Sequence, residues 1–259
     1  MITVSVSLFT PAICHSQSDA SSGTKPYLVF KDTASPDGRY AVAWGLPRHP
    51  DVWAKVFEFQ RLHPAEVELN EEDRKHAEEV FDSANAVSDD VENYIVDVRD
   101  GKIIHKLDCP RNPDVPPALE SYWAAAGTVP NRHSLDVVWS QPGNLVLVNH
   151  TFRWDCVTFC ALLIRDGKVG PSLDLNNKLG AAVRSFVAKS FPRGTGYSKN
   201  NLNVCFSEVK QLGETKFSAH VEAGFGKGWS AEGSVVSFSV IPSKERTTLK
   251  AADIRVRKE

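Results

Sequence analysis

The residues between positions 150 and 155 form the densest group of polar and aromatic side chains in the chain. Arg153 can hold an anionic group through paired hydrogen bonds, and Trp154 can stack on a planar or cationic group. Connections between strands often carry function when a rigid sheet holds them. Residues 150–155 are predicted to connect two strands of a sheet, so we predict a ligand-binding site at this connection. Its candidate residues are Arg153, Trp154, His133, His150 and Asp155.

A purely structural role competes with this interpretation. Arg153 could pair with Asp155 or bind backbone carbonyls, and Trp154 could pack beneath a helical segment. The tripeptide Asn131-Arg132-His133 presents the same choice. A single concave pocket lined by Arg153, Trp154 and His133 would favour the binding site.

A hydrolase is the competing functional class. It would use His133 or His150 as a general base and Asp136 or Asp155 to orient that base beside a serine hydroxyl. The short signatures of serine hydrolases, zinc peptidases, phosphate loops and calcium loops are absent from the sequence. The sequence therefore favours binding over catalysis and predicts no cofactor or metal. A protein inhibitor or immunity factor is a third alternative.

Charge and composition limit the partners. The 30 Lys and Arg residues nearly balance the 32 Asp and Glu residues, so no global field attracts nucleic acid. No segment approaches the ~18 consecutive apolar residues of a transmembrane helix.

Cys156 and Cys160 lie in one predicted strand, roughly 13 Å apart and too far for a disulfide. A bridge between Cys109 and Cys205 stays open. We expect a protein or small-molecule partner.

The elements that must position the candidate residues contain a repeated pattern. A turn over 35–40, Ser-Pro-Asp-Gly-Arg-Tyr, precedes an apolar strand and later an Arg-Asp-Gly-Lys turn at 99–102. A second turn over 140–145, Ser-Gln-Pro-Gly-Asn-Leu, is likewise followed by an apolar strand and later by an Arg-Asp-Gly-Lys turn at 165–168. Glycine accepts the positive φ that such turns need. The pattern predicts duplicated four-stranded antiparallel units that resemble propeller blades.

The chain divides into an N-terminal segment and one β-rich domain over 26–259. Residues 1–25 contain a short apolar stretch at 4–9, but no Lys or Arg precedes Lys25 as an export signal requires, so we interpret them as a weak export signal or flexible linker. A secreted or periplasmic location follows, with a cytoplasmic one as the alternative. Within the domain we predict a first unit over 26–108 with a helical insertion over 47–92, a second unit over 132–175, a helix over 175–191 and a C-terminal β segment over 202–256.

The turn over 35–40, and the Trp139-Ser140 pair that opens the second copy, resemble the strand turns of TolB-type and WD-repeat propellers. The wider pattern over 41–47, 94–97 and 133–140 is similar to uncharacterised exported bacterial proteins with two propeller-like units. The resemblance covers roughly residues 27–175. It implies a shape and brings no known activity.

A complete propeller needs about four or more blades of about 40 residues, whereas this chain has material for about three sheets, or four at most. We therefore expect a mainly β fold with helical insertions (α+β), arranged as a partial propeller or a sandwich-like packing of the units. Open sheet edges would favour a homodimer. The leading functional hypothesis is an exported, non-enzymatic protein that binds an unknown ligand.

Overall fold

A computed structural model describes residues 27–29, 33–62, 69–87, 92–107, 133–141, 143–152, 155–190, 198, 202–224, 230–245 and 247–259. Over these residues the chain forms three four-stranded antiparallel sheets and three α-helices. Consecutive strands are neighbours within each sheet, so each sheet is a meander, and none closes on itself. The predicted mainly β class is confirmed.

The first sheet, sheet A, has two helices inserted between its second and third strands. Its strands pair antiparallel, with Tyr40 opposite Asp97 in the central pair. The elements are β1 (Tyr27–Val29), β2 (Tyr40–Gly45), α1 (Pro50–Leu62), α2 (Glu71–Asn85), β3 (Glu92–Asp97) and β4 (Lys102–Lys106). Both helices lie within the helical insertion that the sequence predicts over 47–92.

The sequence of α2 explains where that helix begins. The Asn70 side chain accepts a hydrogen bond from the Asp73 N–H at 2.9 Å, which satisfies one of the free donors of the first turn. Acidic residues in that turn are favoured by the helix dipole. The apolar side chains Ala77 and Val80 are buried, and the rings of Phe59 in α1 and His76 in α2 meet edge to face at 5.6 Å.

The second sheet, sheet B, is buried on both faces. Leu145 and Leu147 belong to one apolar cluster, whereas Val146 and Val148 belong to another on the opposite face. Strands covered on both sides are expected to be apolar along their whole length. Sheet B consists of β5 (His133–Trp139), β6 (Leu145–Phe152), β7 (Asp155–Arg165) and β8 (Lys168–Asp174).

The strands around the predicted connection are longer than the sequence suggests. His150 lies within β6 and Asp155 begins β7, with Phe152 directly opposite Asp155. The β-branched Thr151 and the aromatic Phe152 favour extended backbone, so the ladder continues past residue 150. The prediction of a connection over 150–155 is therefore wrong at both ends. Residues 153 and 154 lie outside the described residues.

A helix joins sheet B to the third sheet, sheet C. Asp174 caps α3 (Leu175–Val187) by accepting from the Asn177 N–H at 3.0 Å. A short 3₁₀ turn over 188–190 follows, so the α-helix ends earlier than the predicted residue 191. Sheet C consists of β9 (Asn203–Gln211), β10 (Lys216–Gly224), β11 (Ser230–Pro242) and β12 (Leu249–Lys258), which confirms strands in the C-terminal segment.

The apolar clusters define the order of the layers. One cluster joins sheet A to sheet B, with Val42 and Ile95 against Val146, Val148 and Leu162. A larger cluster joins the other face of sheet B to α3 and sheet C. Sheet B is therefore the central layer.

Several predicted features fall outside the described residues. These are the N-terminal segment over 1–25, the proline-rich link with Cys109, and the side chains of Arg153 and Trp154. A bridge between Cys109 and Cys205 therefore stays an open alternative. Among the helices that the structure describes, none has the length and apolar character needed to cross a membrane.

Candidate functional site

The turn between β1 and β2 is held by its serine and its glycine. The Ser35 N–H donates to the Tyr40 carbonyl at 2.7 Å, and the Tyr40 N–H donates back to Ser35 Oγ at 2.9 Å. The Gly38 N–H donates to the Ser35 carbonyl at 2.8 Å, with Gly38 at φ +67°. This conformation explains why glycine stands at that position.

The turn between β5 and β6 repeats these bonds with different side chains around them. Ser140 donates its N–H to the Leu145 carbonyl at 2.8 Å and accepts the Leu145 N–H on Oγ at 3.2 Å. The Gly143 N–H donates to the Ser140 carbonyl, and Gly143 has φ +85°. Serine and glycine therefore have the same structural roles in both turns.

One further bond recurs in all three sheets. In each, an N–H at the end of the third strand donates to the carbonyl of the residue just before the second strand. The pairs are Val98 to Arg39 at 2.8 Å, Ile164 to Asn144 at 2.7 Å and Val240 to Thr215 at 2.8 Å. The turn before β10 thus occupies in sheet C the place of the two serine turns.

The three turns meet at an open cleft of about 480 Å³. Pro36 and Asp37 come from sheet A, Gln141 from sheet B and Glu214 from sheet C. The first two turns are close neighbours, because a methyl group placed on Gly143 would lie 3.2 Å from Pro36 Cδ. The cleft is thus a concave surface to which every sheet contributes.

Two carboxyl groups give the cleft its charge. The Ser35 hydroxyl donates to Asp37 Oδ1 at 2.7 Å, and the Arg39 N–H donates to the same oxygen at 3.1 Å. The Ser35 bond is the main cause that lowers the pKa of Asp37; desolvation opposes it, and the Arg39 N–H and the positive charge of Arg99 add to the lowering. Asp37 is therefore a carboxylate at neutral pH, and Glu214 is exposed beside it.

A buried carboxylate, Asp97, fixes the adjoining turns of sheet A. Asp97 is 3% exposed and accepts from Arg39 Nε at 3.0 Å and from the Asp100 N–H at 3.2 Å. Burial raises the pKa of Asp97, but these hydrogen bonds outweigh burial and hold it below its ordinary value. The ion pair joins the turn before β2 to the turn after β3.

Trp139 fastens sheet A to sheet B beside the cleft. Its Nε1–H donates to the Thr33 carbonyl at 2.7 Å, and its ring stacks on Tyr40 with centroids 6.1 Å apart. Trp139 is buried, so the bond is shielded from water. This contact fixes the relative position of the first two turns.

The structure places the predicted site residues that it describes, His133, His150 and Asp155, away from this cleft. His133 lies opposite Phe152, which lies opposite Asp155, so His133 and Asp155 share one row of sheet B about 10 Å apart, at two strand spacings. That row lies at the other end of β5, roughly 20 Å from the turn after Trp139. Arg153 and Trp154 lie outside the described residues.

The structure separates one of the histidine and aspartate pairs that a hydrolase could use, His150 and Asp136. His150 is 1% exposed and continues the face of Val148 toward sheet A. Asp136 bonds to Asn149, whose amide reaches the Phe206 carbonyl of sheet C. Since successive strand residues face opposite sides, His150 and Asp136 lie on opposite faces of sheet B. The described residues also contain no group of three or more potential metal ligands.

The residues that line the cleft were missed because their turns read as structural elements. The repeated turn pattern does place Asp37 and Gln141 at corresponding ends of two sheets. No local pattern marks the turn that carries Glu214, since only the packing of sheet C brings it to the same place.

Comparisons of the chain with protein-family models, with curated proteins and with solved structures found no match.

Proposed function

We propose that this protein is a binding module whose ligand docks at the cleft formed by Pro36, Asp37, Gln141 and Glu214. The observation that carries the proposal is the convergence of turns from all three sheets on one concave surface. Binding residues are commonly presented by loops that a rigid scaffold positions. Here the scaffold includes the paired serine and glycine bonds and the buried Trp139 contact.

We also propose that sheets A and B arose by duplication and pack as propeller-like units. The shared set of turn bonds at Ser35 and Ser140 supports the duplication. The face-to-face apolar contact of the two sheets supports the packing. The recurring bond at Val240 extends the argument to sheet C. Export of the protein and dimerisation through open sheet edges stay predictions from the sequence.

The chemistry of the cleft favours a ligand that carries a cation or several hydrogen-bond donors. Asp37 and Glu214 supply carboxylates, and Gln141 supplies an amide that can donate or accept. Two Asp37 contacts come from its own turn, which holds the carboxylate in place before a ligand arrives. An amine or guanidinium group would complement this arrangement.

Ligand titrations followed by amide NMR and thermal unfolding would test the proposal. The probes are spermidine and arginine amide, with sulfate and glucose for comparison. We expect the two cations to shift amide resonances of the turns at 35–39, 140–144 and 212–215 and to raise the unfolding temperature, because a ligand selective for the native state stabilises it.

A matched pair of variants separates site binding from general charge attraction. The cleft variant is D37N/E214Q, in which the Asn oxygen can still accept the turn bonds. The control is E78Q/E222Q, which removes two exposed carboxylates, one in α2 and one near the end of β10 that lies away from the turn with Glu214. The cations should lose their effect in the cleft variant and keep it in the control. Equal responses in both variants, or shifts confined to other residues, would reject the cleft as the binding site.

A further inference from the structure

The carboxylate of Asp37 has one occupied oxygen and one open oxygen. Oδ1 accepts from the Ser35 hydroxyl at 2.7 Å and from the Arg39 N–H at 3.1 Å. A methyl group placed on Gly143 would lie 3.8 Å from the same oxygen, so Oδ1 faces the turn of sheet B. Within the described part of the chain, no other residue donates a hydrogen bond to Oδ2. A ligand can therefore reach Asp37 through Oδ2.

This asymmetry discriminates between two kinds of cation. A guanidinium pairs most strongly with a carboxylate when two parallel N–H groups meet its two oxygens. The two hydrogen bonds on Asp37 Oδ1 already use its two lone pairs, so a guanidinium is limited to a contact with one oxygen. A primary ammonium is a compact charge whose three donors can rotate to suit single acceptors. The occupied oxygen therefore costs an ammonium less than a guanidinium.

An arginine of the protein itself leaves this carboxylate unpaired. The guanidinium of Arg99 is close enough for its charge to act on Asp37. Its Nη2 donates to the Asp37 backbone carbonyl at 3.3 Å, and among the described residues it forms no ion pair with the carboxylate. Oδ2 thus stays open even beside a guanidinium of the same chain.

The other cleft residues suit an ammonium at the end of an alkyl chain. Gln141 adds an amide oxygen and Glu214 adds a second carboxylate, so the three turns offer three acceptor groups to the three hydrogens of one ammonium. The exposed ring of Pro36 supplies an apolar surface against which methylene groups can pack. Lysine side chains and free polyamines share this chemistry.

We propose that the cleft selects an alkylammonium group over a guanidinium, with Asp37 Oδ2 as its acceptor and Ser35 as the residue that sets the selectivity. This inference rests on the proposed function, because it names the class of cation that the cleft binds. Ser35 is a positioning residue, since it acts by occupying Oδ1. Removing its hydroxyl leaves Oδ1 with one free lone pair, which a second N–H of a guanidinium can use.

NMR titration of the full chain with N-acetyl-lysine amide and N-acetyl-arginine amide tests the selectivity. The two probes carry the same charge and the same backbone, and amide shifts give both the Kd and the place of binding. We expect the lysine derivative to bind the wild type about fivefold more tightly, because the arginine derivative lacks one hydrogen bond to a charged group. Cadaverine, a free diamine, compares polyamines with lysine side chains, and the tighter binder of the two identifies the source.

Two serine variants test the role of Ser35. In S35A the ratio of the two Kd values should fall to about one, because side-on pairing with a guanidinium becomes available. S140A is the matched control: it loses the corresponding turn hydroxyl of sheet B but leaves both Asp37 oxygens as they are. Both variants loosen a turn, so the readout is the ratio of affinities. S140A should keep the wild-type ratio.

Equal affinities of the two derivatives for the wild type, with shifts at the cleft turns, would overturn the selectivity and leave the cleft as a general cation site. A preference for lysine that persists unchanged in S35A would overturn the role of Ser35. If neither derivative shifts the cleft turns, the proposed function fails as well, so the two failures are distinguishable. If S35A does not fold, the wild-type ratio still decides the selectivity.

Discussion

Alanine at the two turn glycines should have unequal effects, because only one turn has a close neighbour. Gly38 and Gly143 occupy the same turn position and both have positive φ, +67° and +85°. A side chain in this left-handed conformation costs roughly 1–2 kcal/mol. A methyl group on Gly38 would meet no atom within 4 Å, whereas one on Gly143 would lie 3.2 Å from Pro36 Cδ and 3.6 Å from Ser35 Cβ.

We therefore expect G38A to lose only the conformational contribution of about 1–2 kcal/mol. G143A should lose a similar amount and roughly 1 kcal/mol more, at the low end of overpacking, because the Pro36 ring that the methyl meets is exposed and can shift. For a chain of this size each kcal/mol lowers the unfolding temperature by about 2–4 °C.

Urea unfolding of the wild type, G38A and G143A, with thermal unfolding in parallel, measures the difference. Amide NMR supplies a second readout, since G143A should shift resonances of the turn at 35–38 whereas G38A should leave the turn at 140–144 nearly unchanged. Equal losses of stability in the two variants, with no effect of G143A on the sheet A turn, would refute the close contact between the turns.

Three further variants address the bonds that hold the site. W139F removes the donor that reaches the buried Thr33 carbonyl at 2.7 Å, and should lower the free energy of unfolding by about 1–3 kcal/mol in urea titrations. S140A removes the hydroxyl that accepts a buried strand N–H, with a similar expected loss by the same measurement. S35A should reduce the sensitivity of the fold to acid, because the Ser35 bond is the main cause of the lowered pKa of Asp37. A lowered pKa stabilises the fold above the unfolded value of about 3.9, and this stabilisation is lost as pH falls. Urea midpoints measured between pH 2 and 6 should therefore vary less in S35A than in the wild type.

Features with local causes were predictable from the sequence. Serine and glycine at fixed spacing imply a tight turn, because the hydroxyl can bond a nearby N–H and glycine accepts positive φ. The same is true of α2, whose capping Asn70 and acidic first turn mark its beginning. These interactions join residues a few positions apart, so residues that are close together in the sequence determine them.

The site depended on contacts that no local pattern records. Glu214 reaches the cleft only because sheet C packs against sheet B, and His150 is buried on the face of sheet B that continues from Val148 toward sheet A. One signal for burial was present: the apolar run Leu145–Val148 is typical of a strand covered on both faces. Taken with the second apolar run at Ala161–Ile164, it argues against an accessible histidine in this sheet.

The double burial of sheet B also constrains how the protein can be divided. A version lacking either flanking layer would expose a face with residues such as Val146 and Val148, or Leu145 and Leu147. Such apolar strands, without neighbouring charges, are prone to intermolecular pairing. We expect sheet B to be insoluble when expressed alone. During synthesis, sheet B is complete before sheet C leaves the ribosome, so the apolar face of sheet B that sheet C covers is at first exposed.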